Sequence, residues 1–337
     1  MATRNTSKDK SAPAFLKGKT VLITGGTGTF GRAFIARLLV VPGITKIIIF
    51  SRDELKQSQV QSMYPNEKRL RYFIGDVRDS ERLKCAFEGV DIVVHAAALK
   101  QVPATEYNPF EAVKTNIVGS QNVIDAALAV GVSKVLLVSS DKAVEPINLY
   151  GATKLAAEKL FVAANVYVKA KNPSAFSVVR YGNVIGSRGS LIELVDRLRS
   201  TGRIPLTDER MTRFWIRIEQ VTDIVLECLS LMRGGEIFIP KMKNMRVADV
   251  IKHLAPECKI DDIGIRPGEK LHETLITEYE ALRAKELSNV YVIKPEFGST
   301  DTRWLRGKPG VSEDFSYSSD NKNFLLTAQE AKVLFAR

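Results

Sequence analysis

Lys19-Thr20-Val21-Leu22-Ile23-Thr24-Gly25-Gly26-Thr27-Gly28-Thr29-Phe30-Gly31 reads as strand, glycine turn and helix start in direct succession. The apolar, β-branched run suits a buried strand. Gly25-x-x-Gly28-x-x-Gly31 follows, and an amphipathic stretch then carries Phe34, Leu38 and Leu39. Glycines at this spacing allow a tight turn and let backbone amides approach a pyrophosphate, which sits at the positive end of the next helix. A second apolar strand at 46–50 closes a unit of about thirty residues, the length of a strand–helix–strand repeat. The stretch predicts a dinucleotide-binding α/β unit with Gly25, Gly28, Thr29, Phe30 and Gly31 against the cofactor.

Outward from it, apolar runs recur at 20–24, 46–50, 70–74, 91–95, 134–138 and 175–180. Helical patterns at 29–40, 53–63, 79–88, 109–130 and 150–171 lie between them. That alternation predicts an α/β fold, a Rossmann-type doubly wound parallel sheet with helices on both faces. Gly43 and Gly131 punctuate helix ends. After Arg180 the pattern is broken by Gly182, Gly186, Gly189, Gly202 and Pro205, and shorter helices are expected. One more apolar strand, 236–239, is expected to rejoin the sheet. The organisation expected is a disordered extension over 1–17 and a dinucleotide-binding Rossmann domain over 18–186, to which 235–253 returns. A smaller C-terminal substrate-binding domain, 187–234 with 254–337, would cap the carboxyl ends of the strands. Ligands bind at that edge of open α/β sheets.

Composition narrows the function. A chain of 337 residues with 45% hydrophobic and 26% charged residues is that of a soluble globular protein. No apolar run approaches the roughly 20 residues of a membrane span. The first 17 residues carry no apolar core of a secretory signal. Three scattered cysteines, Cys85, Cys228 and Cys258, point to reduced thiols in a cytoplasmic protein. The three histidines, His95, His253 and His272, stand far apart and give no metal signature; His95 ends an apolar strand and reads as structural. The net charge of +11 is dispersed, so it suits phosphate-bearing ligands better than nucleic acid.

The chemistry concentrates in Ser139-Ser140-Asp141-Lys142 and Tyr150-Gly151-Ala152-Thr153-Lys154. Tyr150 and Lys154, four apart on a helix, share one face. A phenol ionises near pH ~10, too high for a base at neutral pH, and a neighbouring ammonium is expected to lower it. Ser140, Asp141 and Lys142 add a hydroxyl, a carboxyl and an amine to the same segment.

With these segments the chain resembles an extended short-chain dehydrogenase/reductase. More narrowly, it is similar to the inverting UDP-N-acetylglucosamine 4,6-dehydratases that begin pseudaminic acid synthesis. The residues that carry the likeness are 24–31, 50–57, 95–103, 141–154, Met211-Thr212-Arg213-Phe214 and 266–273. The resemblance implies that Tyr150 is the base for the 4-hydroxyl of the sugar, with Ser140 bonded to that hydroxyl and Lys154 on the cofactor ribose. Lys142 would remove the carbon-5 proton, and a protonated Asp141 would give one to the departing 6-hydroxyl. Retaining dehydratases carry Asp-Glu where this chain has Asp141-Lys142, and epimerases need no such second pair. Ser140 stands where the family more often has Thr, which keeps the hydroxyl.

An acid after the second strand suits NAD, whereas an arginine accommodates the 2′-phosphate of NADP. Ser51 and Arg52 stand there, so NADP is expected, with Asp53 capping the next helix. The implied cofactor set further includes Glu54, Lys56, Gln57, Asp76, Val77, Ala96, Ala97, Ala98, Tyr150, Lys154 and Val184. For the nucleotide sugar, UDP-N-acetylglucosamine, it points to Lys100, Asn183, Thr207, Arg266 and Glu269, and the family likeness implies a homo-oligomer, a hexamer. Two readings stay open beside it: an epimerase or dehydratase of another UDP-sugar, of the kind used in capsule or lipopolysaccharide synthesis, and an inactive NADP-binding regulatory protein.

Overall fold

The computed structural model describes residues 14–168, 173–187, 189–296 and 302–336. In chain order the strands of its main sheet are β1 (Thr20–Thr24), β2 (Lys46–Ser51), β3 (Leu70–Ile74), β4 (Ile92–His95), β5 (Lys134–Ser140), β6 (Ala175–Tyr181) and β7 (Ile237–Pro240), followed by β8 (Ala284–Glu286) and β9 (Val290–Ile293). Among the described residues they form one 9-stranded sheet in the order β8-β9-β7-β6-β5-β4-β1-β2-β3. All pairs from β3 to β7 are parallel. The strand order reverses between β1 and β4, and the crevice at that switch point is where such sheets bind ligands.

Helices α1 (Thr29–Leu39), α2 (Glu54–Met63), α3 (Ser80–Phe87), α4 (Gly119–Val130), α5 (Leu149–Ala164) and α6 (Ile218–Leu231) cover the two faces. Successive side chains of β1 part to opposite sides, as a pleated strand requires. Val21 and Ile23 join Phe34, Ile35 and Leu38 of α1 and Val225 of α6. Leu22 joins Leu83 and Phe87 of α3, Val123 of α4 and Phe161 of α5. Both faces are therefore dry, which explains why these strands read as unbroken apolar runs. Asp53, Asp79 and Asn148 cap α2, α3 and α5 by accepting backbone N–H bonds from Lys56, Arg82 and Gly151.

The helix expected over 109–130 is not continuous. It begins as Pro109–Ala112, widens into a π-helix at Val113–Val118 and becomes α4 only at Gly119. Asn116, within the wide turn, turns inward. Its side chain accepts from the Leu99 N–H at 2.8 Å and donates to the Leu99 carbonyl at 2.9 Å and to Thr153 Oγ1 at 2.9 Å. Single π turns of this kind are frequently found at functional sites. The helix expected over 150–171 stops at Ala164, because Asn165 donates to the Phe161 and Val162 carbonyls and also bonds Phe176 of β6. Residues 169–171 of that expectation lie outside the described residues.

The other corrections are local. Of the extension expected over 1–17, residues 1–13 lie outside the described residues, whereas Leu16 is fully buried against the sheet. Helix α6, expected in the smaller unit, packs on α1. Strands β8 and β9, also expected there, extend the main sheet antiparallel. The helix Val247–Leu254, expected with the main sheet, instead joins Val195, Ile204, Leu206, Trp215 and Phe335 in a separate apolar cluster.

One buried charge network ties these parts together. Arg180 of β6 is 1% exposed. It donates to Glu158 of α5 at 2.6 Å, to Glu280 at 3.0 Å and to the Leu275 carbonyl at 2.8 Å. Arg180→Met should destabilise the fold by about 3–5 kcal/mol, because it leaves buried carboxylates uncompensated. A denaturant titration checks this; a loss no greater than the roughly 0–1 kcal/mol of an exposed pair would show that the network is dispensable.

Candidate active site

The cleft at the carboxyl ends of β1 to β6 has a volume of about 570 Å³. Its floor is the glycine turn. Gly25 holds φ at 67°, and a Cβ there would stand 2.9 Å from the Ala97 backbone. A Cβ on Gly31 would stand 2.4 Å from the Gly26 carbonyl oxygen. Larger residues would fill the space by which backbone amides reach a ligand, so the turn fits a pyrophosphate lying against the start of α1. Thr29, Phe30, Ala96, Ala97 and Ala98 line the same wall, and Phe30 stacks on Phe34 at 5.4 Å.

At the far end, Ser51, Arg52, Asp53, Lys56, Asp76 and Val77 line the cleft. The Arg52 side chain is 53% exposed and reaches Asp76 Oδ2 at 3.4 Å. Asp53 is the helix cap the sequence predicts, and it also pairs with Lys56 at 2.7 Å. Two expected contacts are corrected here. Gln57 is buried and does not face the cleft: its Nε2 donates to the Ser51 carbonyl, Ser51 Oγ and the Phe73 carbonyl, so it holds the end of β2 in place. Glu54 points to solvent at the first turn of α2 and is absent from the cleft wall.

The reactive groups meet where β5 ends. Ser140 Oγ donates to Asp141 Oδ1 at 2.7 Å, and Lys142 Nζ donates to the same oxygen at 3.0 Å. Asp141 is fully buried, and its Oδ2 has no hydrogen-bond partner. Burial alone would lower the Lys142 ammonium, but the Asp141 and Glu273 carboxylates outweigh it and hold its pKa above the ordinary lysine value. Gly151 permits the tight seat of α5: a Cβ there would lie 2.1 Å from the Lys142 carbonyl oxygen.

Tyr150 and Lys154 share one face of α5, but the expected lowering of the phenol is not found. Burial dominates and pushes Tyr150 upward, opposed in part by Lys142 and by a hydrogen bond with Ser140. Lys154 instead donates to the Val138 carbonyl at 2.8 Å, and burial pulls its pKa down to about 8 despite Glu158 nearby. Lys100 stands in the cleft, lowered first by burial and then by the charge of Lys142. His95 is buried and neutral, its pKa pulled to about 3 by desolvation, with its ring nitrogens on Thr24 and Ser120. Among the described residues no cluster of metal-ligating side chains is found.

Residues 21–295 match the family described as polysaccharide biosynthesis protein. The chain belongs to that family of extended short-chain dehydrogenases/reductases. Within it, this family member is 50% identical over 313 residues to a Campylobacter jejuni protein named UDP-N-acetylglucosamine 4,6-dehydratase (inverting), covering 90% of this chain and 93% of the relative. It is also 41% identical to a Rickettsia bellii protein named UDP-glucose 4-epimerase, covering 94% and 95%. A solved structure of Pen from Bacillus thuringiensis superposes with a TM-score of 0.86 at 39% identity, over 95% of this chain and 98% of that one.

The family fold also decides which expected residues come together. Asn183 and Val184 line the cleft beside Lys100. Thr207, Arg266 and Glu269 do not. Thr207 bonds Met211 Sδ at 3.4 Å, and Arg266, 56% exposed, stands 4.0 Å from Glu269 across a turn. That turn is nevertheless fastened to the site, since Asn148 donates to the Gly268 carbonyl and Lys270 to the Val144 carbonyl. Sequence reasoning did not assign Glu273, Arg213, Tyr181 or Trp215. Glu273 is 2% exposed with a carboxyl oxygen 3.4 Å from Lys142, and Arg213 lies 3.9 Å from it. Both belong to segments that carried the family likeness, but no spacing rule joins them to Lys142.

Proposed function

We propose that this chain is an inverting 4,6-dehydratase of UDP-N-acetylglucosamine with NADP as its resident cofactor. The observation that carries the reading is the Asp141–Lys142 contact of 3.0 Å, set in the cleft beside Tyr150. An epimerase needs a base for the 4-hydroxyl only; a dehydratase needs a second base and an acid for carbons 5 and 6. This chain has both sets within one loop and one helix turn.

The glycine turn, Arg52, Lys154 and the small Ala96–Ala98 wall would hold the dinucleotide. When bound, it supplies hydride acceptance from carbon 4 and hydride return to carbon 6. Tyr150 then accepts the 4-hydroxyl proton, with Ser140 bonded to the same oxygen. Once a ketone stands at carbon 4, the carbon-5 proton is acidic. A proton shift along the Lys142–Asp141 contact makes the amine neutral and the carboxyl protonated together. Lys142 takes the carbon-5 proton, and Asp141 protonates the leaving 6-hydroxyl. Lys100 and Asn183 face the same space and suit the polar groups of the sugar nucleotide.

We further infer a cytoplasmic homo-oligomer that starts pseudaminic acid synthesis. Its described cysteines are unpaired, and Tyr107 and Phe110 expose large apolar surface on the segment before α4. A second reading, 4-epimerisation of a UDP-sugar, is favoured by the likeness to the Rickettsia protein. One experiment separates them. Reaction with UDP-N-acetylglucosamine in heavy water, followed by proton NMR, should give a 4-keto-6-deoxy product of L-arabino configuration with a new methyl signal and deuterium at carbon 5. An axial 4-hydroxyl without a methyl signal means epimerisation, and an early D-xylo product means retention.

Lys142→Ala should abolish dehydration while the chain still folds and binds cofactor, with a lowered melting transition because Asp141 and Glu273 lose their shared cation. Tyr150→Phe should instead stop the first hydride transfer, with a rate loss of about two to four orders of magnitude. Single-turnover measurement of cofactor reduction distinguishes the two steps. Arg52→Ala should weaken NADP roughly tenfold or more, the worth of a charge-assisted hydrogen bond, and NAD much less. Titration with both dinucleotides checks this, and equal losses would remove Arg52 from the 2′-phosphate.

A further inference from the structure

Glu273 is nearly sealed from solvent, yet three cations converge on it. Lys142 Nζ lies 3.4 Å from Oε1, Arg213 Nε 3.9 Å from Oε1 and Lys270 Nζ 3.8 Å from Oε2. Arg213 is held elsewhere, since its guanidinium donates to the carbonyls of Thr212, Lys270 and Leu271. Lys270 is likewise fixed by the Val144 carbonyl. Glu273 is itself clamped at the backbone: its N–H donates to Ser319 Oγ at 2.8 Å, and its carbonyl accepts the Ser319 N–H at 2.8 Å. The Glu273 backbone is thus fixed, and Oε2 makes no hydrogen bond. Of the three cations, only Lys142 faces the reactive cleft beside Tyr150.

We propose that Glu273 is the positioning residue of Lys142, aiming its amine at the substrate and stabilising the ammonium formed when it takes the carbon-5 proton. The inference rests on the dehydratase reading above. Lys142 sits between two carboxylates with different duties. Asp141 must be protonated to release the 6-hydroxyl, and at that moment it no longer offers a charge to Lys142. Glu273 keeps one there. A base oriented by a third group, whose charged form that group stabilises, follows the general logic of activated proton transfer. Proton balance is kept: carbon 5 loses one proton to the Lys142 nitrogen, and the 6-hydroxyl leaves as water with the proton from Asp141. Carbon 5 takes a solvent-derived proton on its opposite face once carbon 6 has received hydride, and Glu273 exchanges none. The charged or titratable groups that face Lys142 are Asp141, Glu273, Arg213, Tyr150 and Lys100.

The test uses Glu273→Gln in the full chain and two independent readouts. The first needs no turnover. Lys142 is labelled with a small amine-acylating reagent over a pH series, and the modified peptide is quantified by mass spectrometry. A nearby carboxylate favours the ammonium and raises its pKa; removing that charge lowers it. The reactive neutral amine should therefore appear at lower pH in the variant, and an unmoved midpoint overturns the proposal. The second readout compares deuterium entry at carbon 5 with hydride transfer from carbon 4. Carbon-5 exchange should fall about ten- to hundredfold, the range set by a lost charge-assisted contact, while hydride transfer and KM stay near the parent values. Equal losses in both steps mark a merely structural residue and overturn it. If Glu273→Gln does not fold, Glu273→Asp keeps the charge but withdraws it from Lys142, and carbon-5 exchange must again fall more than hydride transfer. A parent enzyme that never exchanges carbon 5 would sink the dehydratase reading, while the labelling result would still decide whether Glu273 governs Lys142.

Discussion

One ammonium shared by two buried carboxylates is the interaction on which this active site depends. Burial alone would lower the pKa of Lys142, so its ammonium needs carboxylate partners. Asp141 supplies the partner from the same loop, and Glu273 supplies another from far along the chain. The second contact requires the turn around Gly268 to lie against the start of α5, which the Asn148 and Lys270 bonds achieve. The C-terminal segment that carries Glu273 therefore brings a buried carboxylate to the centre of the site.

The same logic of fixed polar groups recurs deeper in the fold. Glu158, one turn beyond Lys154 on α5, accepts from Ser139 and from Arg180, and Arg180 reaches on to Glu280. Helix α5 is thus anchored on one side by the network that joins β6 to the C-terminal half, and on the other by the loop that carries Lys142. Asn116 in the π-helical turn fixes the Leu99 backbone beside Lys100 in a comparable way. Rigid supporting groups of this kind can hold the proposed catalytic set in place without asking a substrate to order it.

Chemical environment also changes what the individual residues are. Tyr150 and Lys154 sit where their spacing placed them, yet burial raises the phenol and lowers the amine. The strongest charge acting to lower Tyr150 is Lys142, which comes from the loop before the helix. Spacing told which groups are neighbours on a helix, but the cost of burying each charge is a property of the packed site.

Much of the fold was legible because its rules are local. Period-two burial, β-branched runs and the glycine spacing of 25, 28 and 31 each act within a few residues, and the strands of the parallel sheet fell where those patterns put them. Asp53 as a cap was readable for the same reason. What the sequence could not give were contacts whose partners are far apart along the chain. Gln57 looked like a cofactor ligand, but packing turned it toward Phe73; the helix around Asn116 widened to satisfy a distant backbone. Arg266 and Glu269 lay in a matching motif, yet the turn presents its backbone, not those side chains, to the site. The sequence by itself determined the parallel strands, the glycine cradle and the grouping of Ser140, Asp141, Lys142, Tyr150 and Lys154 in one loop and the helix after it. Only the tertiary structure decided that Glu273 stands against Lys142, because the energy of a buried charge depends on every group around it and not on its neighbours in sequence.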